Sequence, residues 1–160
     1  MAIISIGPGA YERDNMHASF KSFIALGNPS NANGVINTIR IFANTNIAGA
    51  KIGTFSFVSG TTYKCRDVAI IGDVVSGSAQ IFPGLSLSVN VGDYLGIYFS
   101  SGDIENSSSG FAGIRYAFGD ILTVDLESST SSFSGQAISI HGAGTVIRHH
   151  FINFQGPGIF

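Results

Sequence analysis

Turn-forming residues interrupt this chain so often that its apolar residues fall into short runs. Gly27-Asn28-Pro29, Asn33-Gly34, Ser59-Gly60, Ser76-Gly77, Pro83-Gly84, Gly92-Asp93, Gly102-Asp103 and Gly119-Asp120 punctuate the 160 residues. The runs between them are rich in Val, Ile, Phe and Thr, whose branched or flat side chains suit a pleated surface. Gly and Asn supply the tight turns, and no sustained helical period is evident. Strands are predicted at His17–Ala25, Val35–Asn44, Lys51–Val58, Asp67–Val75, Leu85–Val91, Tyr94–Ser100, Phe111–Phe118, Ile121–Leu126, Gln136–His141 and Val146–Phe154. The expected fold is all-β: a single jelly-roll-like β-sandwich of about 8–10 short antiparallel strands with an extended C-terminal tail.

Alternation assigns faces within several strands. Val35, Ile39, Ile41 and Ala43 are expected on one face, opposite Thr38, Arg40 and Phe42. Phe55 and Phe57 oppose Thr54, Ser56 and Val58; Ile138 and Ile140 oppose Ala137, Ser139 and His141. The stretch VNVGDYLGIYF (residues 89–99) departs from this pattern. Its second arm places Leu95, Ile97 and Phe99 in the core, yet Tyr94, Gly96 and Tyr98 leave no polar face for water. Something is expected to cover that tyrosine row.

Charged residues make up 11% of the chain and mean hydropathy is +0.32, whereas average domains carry roughly 25% charged residues. Solubility then rests on Ser, Thr, Asn and Gly, or on surface hidden in an assembly that also covers the sheet edges. The net charge is −2 and the eight Lys and Arg are scattered, which argues against a nucleic-acid partner. Cys65 is the single cysteine, so neither an internal disulfide nor a thiolate cluster is available. The N-terminus lacks the basic start of a signal peptide, and no apolar run reaches the ~18 residues of a membrane helix. The chain is expected to be made in the cytoplasm, without a membrane partner.

Two segments stand apart. Ser128–Ser134 (SSTSSFS) reads as a hydroxyl-rich loop carrying Phe133. Gly142-Ala143-Gly144 reads as a hinge, dividing a sandwich domain (1–144) from a docking tail (145–160) that carries His149, His150, Phe151, Phe154 and Phe160. A tail so rich in Phe is expected to dock on its own sandwich or on a neighbour.

Chemistry is sparse. Adjacent His149 and His150 on a strand point to opposite faces and do not chelate one metal. Asp103 and Glu105, followed by SSSG, are weak candidates for calcium, which takes six to eight oxygens; Asp after Gly is also ordinary turn chemistry. No carboxylate pair, Gly-x-Ser-x-Gly elbow, phosphate loop or Cys–His pair stands out, so no catalytic residue, metal or cofactor is expected. The aromatic residues Tyr94, Tyr98, Phe111, Tyr116, Phe118 and Phe133 are the candidates for a subunit interface or a glycan site, since Tyr and Phe serve both.

The runs GNPSNANGVINTIRIFANTNIAGAKIGTFSFVSGTTYKCRD, VGDYLGIYFSSGDIENSSSGFAGIRY and GQAISIHGAG together resemble a β-sandwich module of phage and metagenomic virion structural proteins, also found in tail-fibre-like chains. The resemblance spans residues 12–142 and implies a virion or surface setting, with no catalytic residues. The expectation is a non-enzymatic virion structural protein, a phage capsid decoration protein or short fibre or appendage subunit. It is expected to work as a symmetric homo-oligomer, a trimer, attached to other virion proteins. The alternative is a carbohydrate-binding or receptor-binding module that holds a surface glycan on Tyr94, Tyr98 and Tyr116.

Overall fold

Fifteen strands and no helix form among residues 2–147, the part of the chain that the computed structural model describes. In chain order they are β1 (Ile3–Gly9), β2 (Asn15–Ala18), β3 (Lys21–Ala25), β4 (Gly34–Phe42), β5 (Ile47–Ser59), β6 (Thr62–Val74), β7 (Ala79–Phe82) and β8 (Leu87–Val89). They continue as β9 (Tyr94–Tyr98), β10 (Asp103–Ser107), β11 (Ile114–Phe118), β12 (Glu127–Ser129), β13 (Ser131–Phe133), β14 (Ala137–Ile138) and β15 (Ile140–Val146).

Sheet I has the order β1-β15-β4, with β7 and β8 both pairing β4. Sheet II runs β12-β6-β5-β9-β3-β11-β13, and a small sheet III runs β14-β10-β2. The principal strands β1-β15-β4-β8 face β3-β9-β5-β6, so the chain repeatedly crosses between layers and returns beside strands distant in sequence. This is the winding of a jelly roll. The layers close over Ile4, Ile6, Phe23, Ile36, Ile39, Ile41, Ile52, Leu87, Leu95, Ile97, Phe99 and Ile140, all fully buried.

The expected all-β sandwich is present, but its segments differ from those predicted. Lys51–Val58 and Asp67–Val75 prove to be parts of two thirteen-residue strands, β5 and β6, joined by a tight hairpin. His17–Ala25 splits at Phe20, whose φ of 72° ends the extended run. Ile121–Leu126 is not a strand at all. SSTSSFS is not a loop: it pairs as β12 on β6 and β13 on β11, at the two ends of sheet II. Beyond Ile147, the predicted strand Val146–Phe154 lies outside the described residues.

Gly142–Gly144 is not a hinge either. It lies inside β15, paired on both sides with β1 and β4. These glycines serve close packing: a Cβ on Gly142 would sit 2.9 Å from Ile6 and 3.1 Å from Ile36, and one on Gly144 only 1.9 Å from the Val35 carbonyl oxygen.

A bulge corrects the face assignment in β4. Ala143 pairs with Thr38 but Gly144 with Ile36, leaving Asn37 as the extra residue. An inserted residue reverses the alternation on either side of it. Ile36 is therefore buried with Ile39 and Ile41, and Val35 turns to the outer face.

The tyrosine row has its cover within the chain. A second apolar cluster lies on the outer face of sheet II, with Ile24, Phe55, Tyr63, Cys65, Ile121 and Leu122 buried and Tyr94 and Tyr98 packed against it. The segment after β11 turns back over the sheet, held by Ile121 N–H donating to Ser22 Oγ (3.0 Å) and Asp125 N–H to the Cys65 carbonyl (2.9 Å). Gly96 leaves no gap in the row, because the Phe55 ring lies over it: a Cβ there would be 2.5 Å from that ring.

Candidate functional site

Tyr94 and Tyr98 are thus half-buried in this second cluster. Tyr94 meets the edge of Tyr63 (5.9 Å between ring centres), and Tyr63 meets Phe57 (5.5 Å). The Arg115 guanidinium stands 6.0 Å from the Tyr63 ring and is tied to Thr130 by its side-chain and backbone oxygens. Cys65 lies beneath, with burial pushing its thiol up to about 11, so it supplies no nucleophile at neutral pH.

Tyr116, Phe118 and Phe133 belong to a different set, on the inward face of β11 and β13. Six aromatic rings follow one another from the core to the surface: Phe99, Phe23, His17, Phe133, Tyr116 and Phe118, with successive centres 4.3–6.2 Å apart. Phe133 is half-buried between His17 and Tyr116. Phe118, at the surface end, is 76% exposed, with Lys21 Nζ 5.7 Å from its ring centre. Phe20 is close by in sequence, also exposed, and its left-handed backbone is held by Gly119 N–H donating to its carbonyl (2.9 Å). Sequence reasoning grouped Tyr94 and Tyr98 with Tyr116 and Phe118; the structure places the pairs on opposite faces of sheet II. Both strands pair antiparallel with β3, and only register distinguishes them: Tyr98 stands opposite Ser22, and Tyr116 opposite Phe23.

His17 shares a short contact with Gln136 (Nε2 to Oε1, 2.6 Å). Burial between the rings pushes its pKa below the usual 6.5, against the opposing effect of Gln136. The unfolded chain therefore binds a proton that the fold refuses. Stability is fullest above pH 6.5 and falls as pH drops through 6.5 towards the lower folded-state value. Chemical unfolding at pH 7.5 and pH 5 should show a lower midpoint at pH 5, and His17→Phe should shrink that difference. A difference unchanged by the substitution would remove His17 from the account.

Asp103 and Glu105 lie in β10, not in a loop, and three of their four carboxylate oxygens are engaged. Asp103 accepts from the Thr45 hydroxyl (2.9 Å), while Glu105 accepts from Asn44 (2.9 Å) and from Arg13 N–H (3.0 Å). Among the described residues no three His, Cys, Asp or Glu gather as metal ligands. Arg13 links this region by donating to Ser139 Oγ (2.7 Å), Ser107 Oγ (2.9 Å) and the Gly9 carbonyl (3.1 Å). Its guanidinium lies 4.6 Å from the Tyr11 ring centre and 5.0 Å from that of Phe111. Phe111 is therefore placed in a cation–aromatic contact, apart from the other aromatic candidates. His149, His150, Phe151, Phe154 and Phe160 lie outside the described residues.

A feature the sequence reading missed is a groove of about 450 Å³ at one end of sheet I. Gly7, Gly9, Tyr11, Asn28, Arg40 and His141 line it. Gly7 and Gly9 have φ of 92° and 111° and interrupt the β1 ladder, where Ile6 pairs with Gly142 but the next partner of β15 is Gly9. Gly7 N–H donates to the Asn28 carbonyl (2.9 Å), and the Tyr11 hydroxyl donates to the Pro8 carbonyl (2.6 Å). On the floor Arg40 and His141 are a cross-strand pair. The signal was available in the stretch Gly7-Pro8-Gly9, but nothing in the sequence pairs it with Arg40.

No protein-family model matches the chain, and no curated protein matches its sequence.

Proposed function

We propose that this protein is a non-enzymatic structural subunit, a virion decoration protein or short appendage subunit that works by homo-oligomerisation and attachment. The supporting observation is the outer face of sheet I. Ile3, Val35, Ile81, Ala143 and Thr145 point outward there, and Arg40 is the one formally charged side chain among the described residues of that face. Ile3, Ile81 and Thr145 are exposed there, whereas sheet II is covered by Ile121 and Leu122. Val91 and Ile147 extend the apolar surface at one end, both tied by backbone N–H groups to Asn33. A broad face with so little charge suits a partner of the same composition, and closed symmetry follows when that partner is another copy.

Sedimentation velocity tests this. The expected result is a defined oligomer, a trimer, converted by Ala143→Arg to a monomer that keeps its β-sheet circular dichroism. A monodisperse monomer at every concentration, binding no particle component, would overturn the proposal.

A further inference from the structure

The groove beside Gly7–Tyr11 presents hydrogen-bond donors whose protein acceptors are missing among the described residues. Arg40 is exposed and forms neither a hydrogen bond nor an ion pair there. An arginine fork with five N–H groups and no carboxylate is matched best by a planar anion.

The neighbouring hydrogen bonds fix the rest of the site. Asn28 Nδ2 donates to both Ser5 Oγ (2.9 Å) and the Gly7 carbonyl (3.0 Å). Ser5 Oγ, which accepts from Asn28, also lies 3.1 Å from His141 Nε2, where donor and acceptor follow the imidazole tautomer. Nδ1 has no described protein partner and offers the groove a donor or an acceptor according to the tautomer. Burial and the nearby Arg40 both lower the His141 pKa below 6.5, so the ring is neutral at pH 7. Asn28 keeps its Oδ1 as an acceptor. The Tyr11 ring lines the groove, steadied by the Arg13 guanidinium 4.6 Å from its centre and by its hydroxyl on Pro8.

One cationic fork, one neutral imidazole, one amide acceptor and one aromatic wall together match a carboxylated sugar ring. From this juxtaposition we infer that the groove binds an acidic saccharide, its carboxylate on Arg40, a ring hydroxyl on Asn28 and its apolar face against Tyr11. The inference concerns a ligand rather than self-assembly: the groove lies at the Gly9 end of β1, at the margin of the face proposed for assembly and away from Ile3, with Arg40 common to both.

Titration of the intact protein with sodium glucuronate, followed by NMR, tests it, with glucose as the neutral counterpart and acetate as the bare anion. The expected result is saturable binding with a Kd of roughly 1 mM, as one charge-assisted pair and one ring contact support. Glucose and acetate should each bind at least about tenfold more weakly, a difference of about 1.4 kcal/mol. Arg40→Gln should abolish binding while the melting temperature stays unchanged, and Tyr11→Ala should weaken it. Glucose binding as tightly as glucuronate, or Arg40→Gln leaving affinity intact, would overturn the assignment. Acetate matching glucuronate would overturn its saccharide part, and the absence of saturable binding would overturn the whole.

Discussion

Phe55→Ala is expected to lower the unfolding free energy by about 3–5 kcal/mol, the cost of emptying a large buried site. Phe55 is fully buried, yet it lies outside the space between the sheets. Its ring fills the place above Gly96 on the neighbouring strand, where a Cβ would come within 2.5 Å and 2.9 Å of ring carbons. Gly96→Ala alone should therefore cost about 1–3 kcal/mol by overpacking. In the Phe55→Ala background part of that cost should vanish, while the approach to the Phe23 carbonyl oxygen at 2.9 Å remains. Urea unfolding of the two single variants and the double variant reads the coupling directly. Strict additivity would contradict the ring-over-glycine packing.

Asp93→Ala should cost about 3 kcal/mol. Asp93 is 2% exposed in the turn before β9, and its carboxylate accepts from Arg66 Nε (2.5 Å), Arg66 Nη2 (3.1 Å) and Asn90 N–H (2.8 Å). Removing one partner of a buried pair leaves the other uncompensated, at about 3–5 kcal/mol. The Arg66 side chain is 32% exposed, so water compensates in part and the low end applies. Alanine keeps the backbone bonds of the turn, including Ser30 N–H to the Asp93 carbonyl (2.8 Å), so the loss reports the carboxylate. Asp93→Asn should fall between, since its oxygen still accepts from Asn90. A loss below about 1 kcal/mol for the alanine variant would reduce the pair to an ordinary surface contact.

The architecture was legible where local chemistry decides it. Leu95, Ile97 and Phe99 were assignable to the core because alternation in a regular strand is a local property, and all three are buried. The misreadings arose where a distant residue decides. Val35 was assigned to the wrong face because the bulge at Asn37 is imposed by pairing with β15, over a hundred residues away. The glycines of β15 looked like a hinge because a tight interior and a flexible joint use the same residue. The cover over the tyrosine row was hidden for a related reason. Ile121 and Leu122 look like a strand, and only their bonds to Ser22 and the Cys65 region turn them into a lid. The groove was the least legible feature, since it needs the first strand, Asn28, β4 and β15 at once.

The pairing of β1 with β15 has a consequence for how the protein is made. Ile3–Ile6 find their register only on Gly142–Thr145, so the first strand emerges long before its partner exists. At roughly 5–20 residues per second, that interval is on the order of ten seconds. During it the segment IISI is an unpaired, β-prone stretch without a charged residue, the kind most exposed to mispairing. Fold completion is thus tied to the near-complete synthesis of residues 2–147. Ribosome-bound chains ending before β15 should leave β1 open to protease or chaperone, however well β5 and β6 have already zipped together.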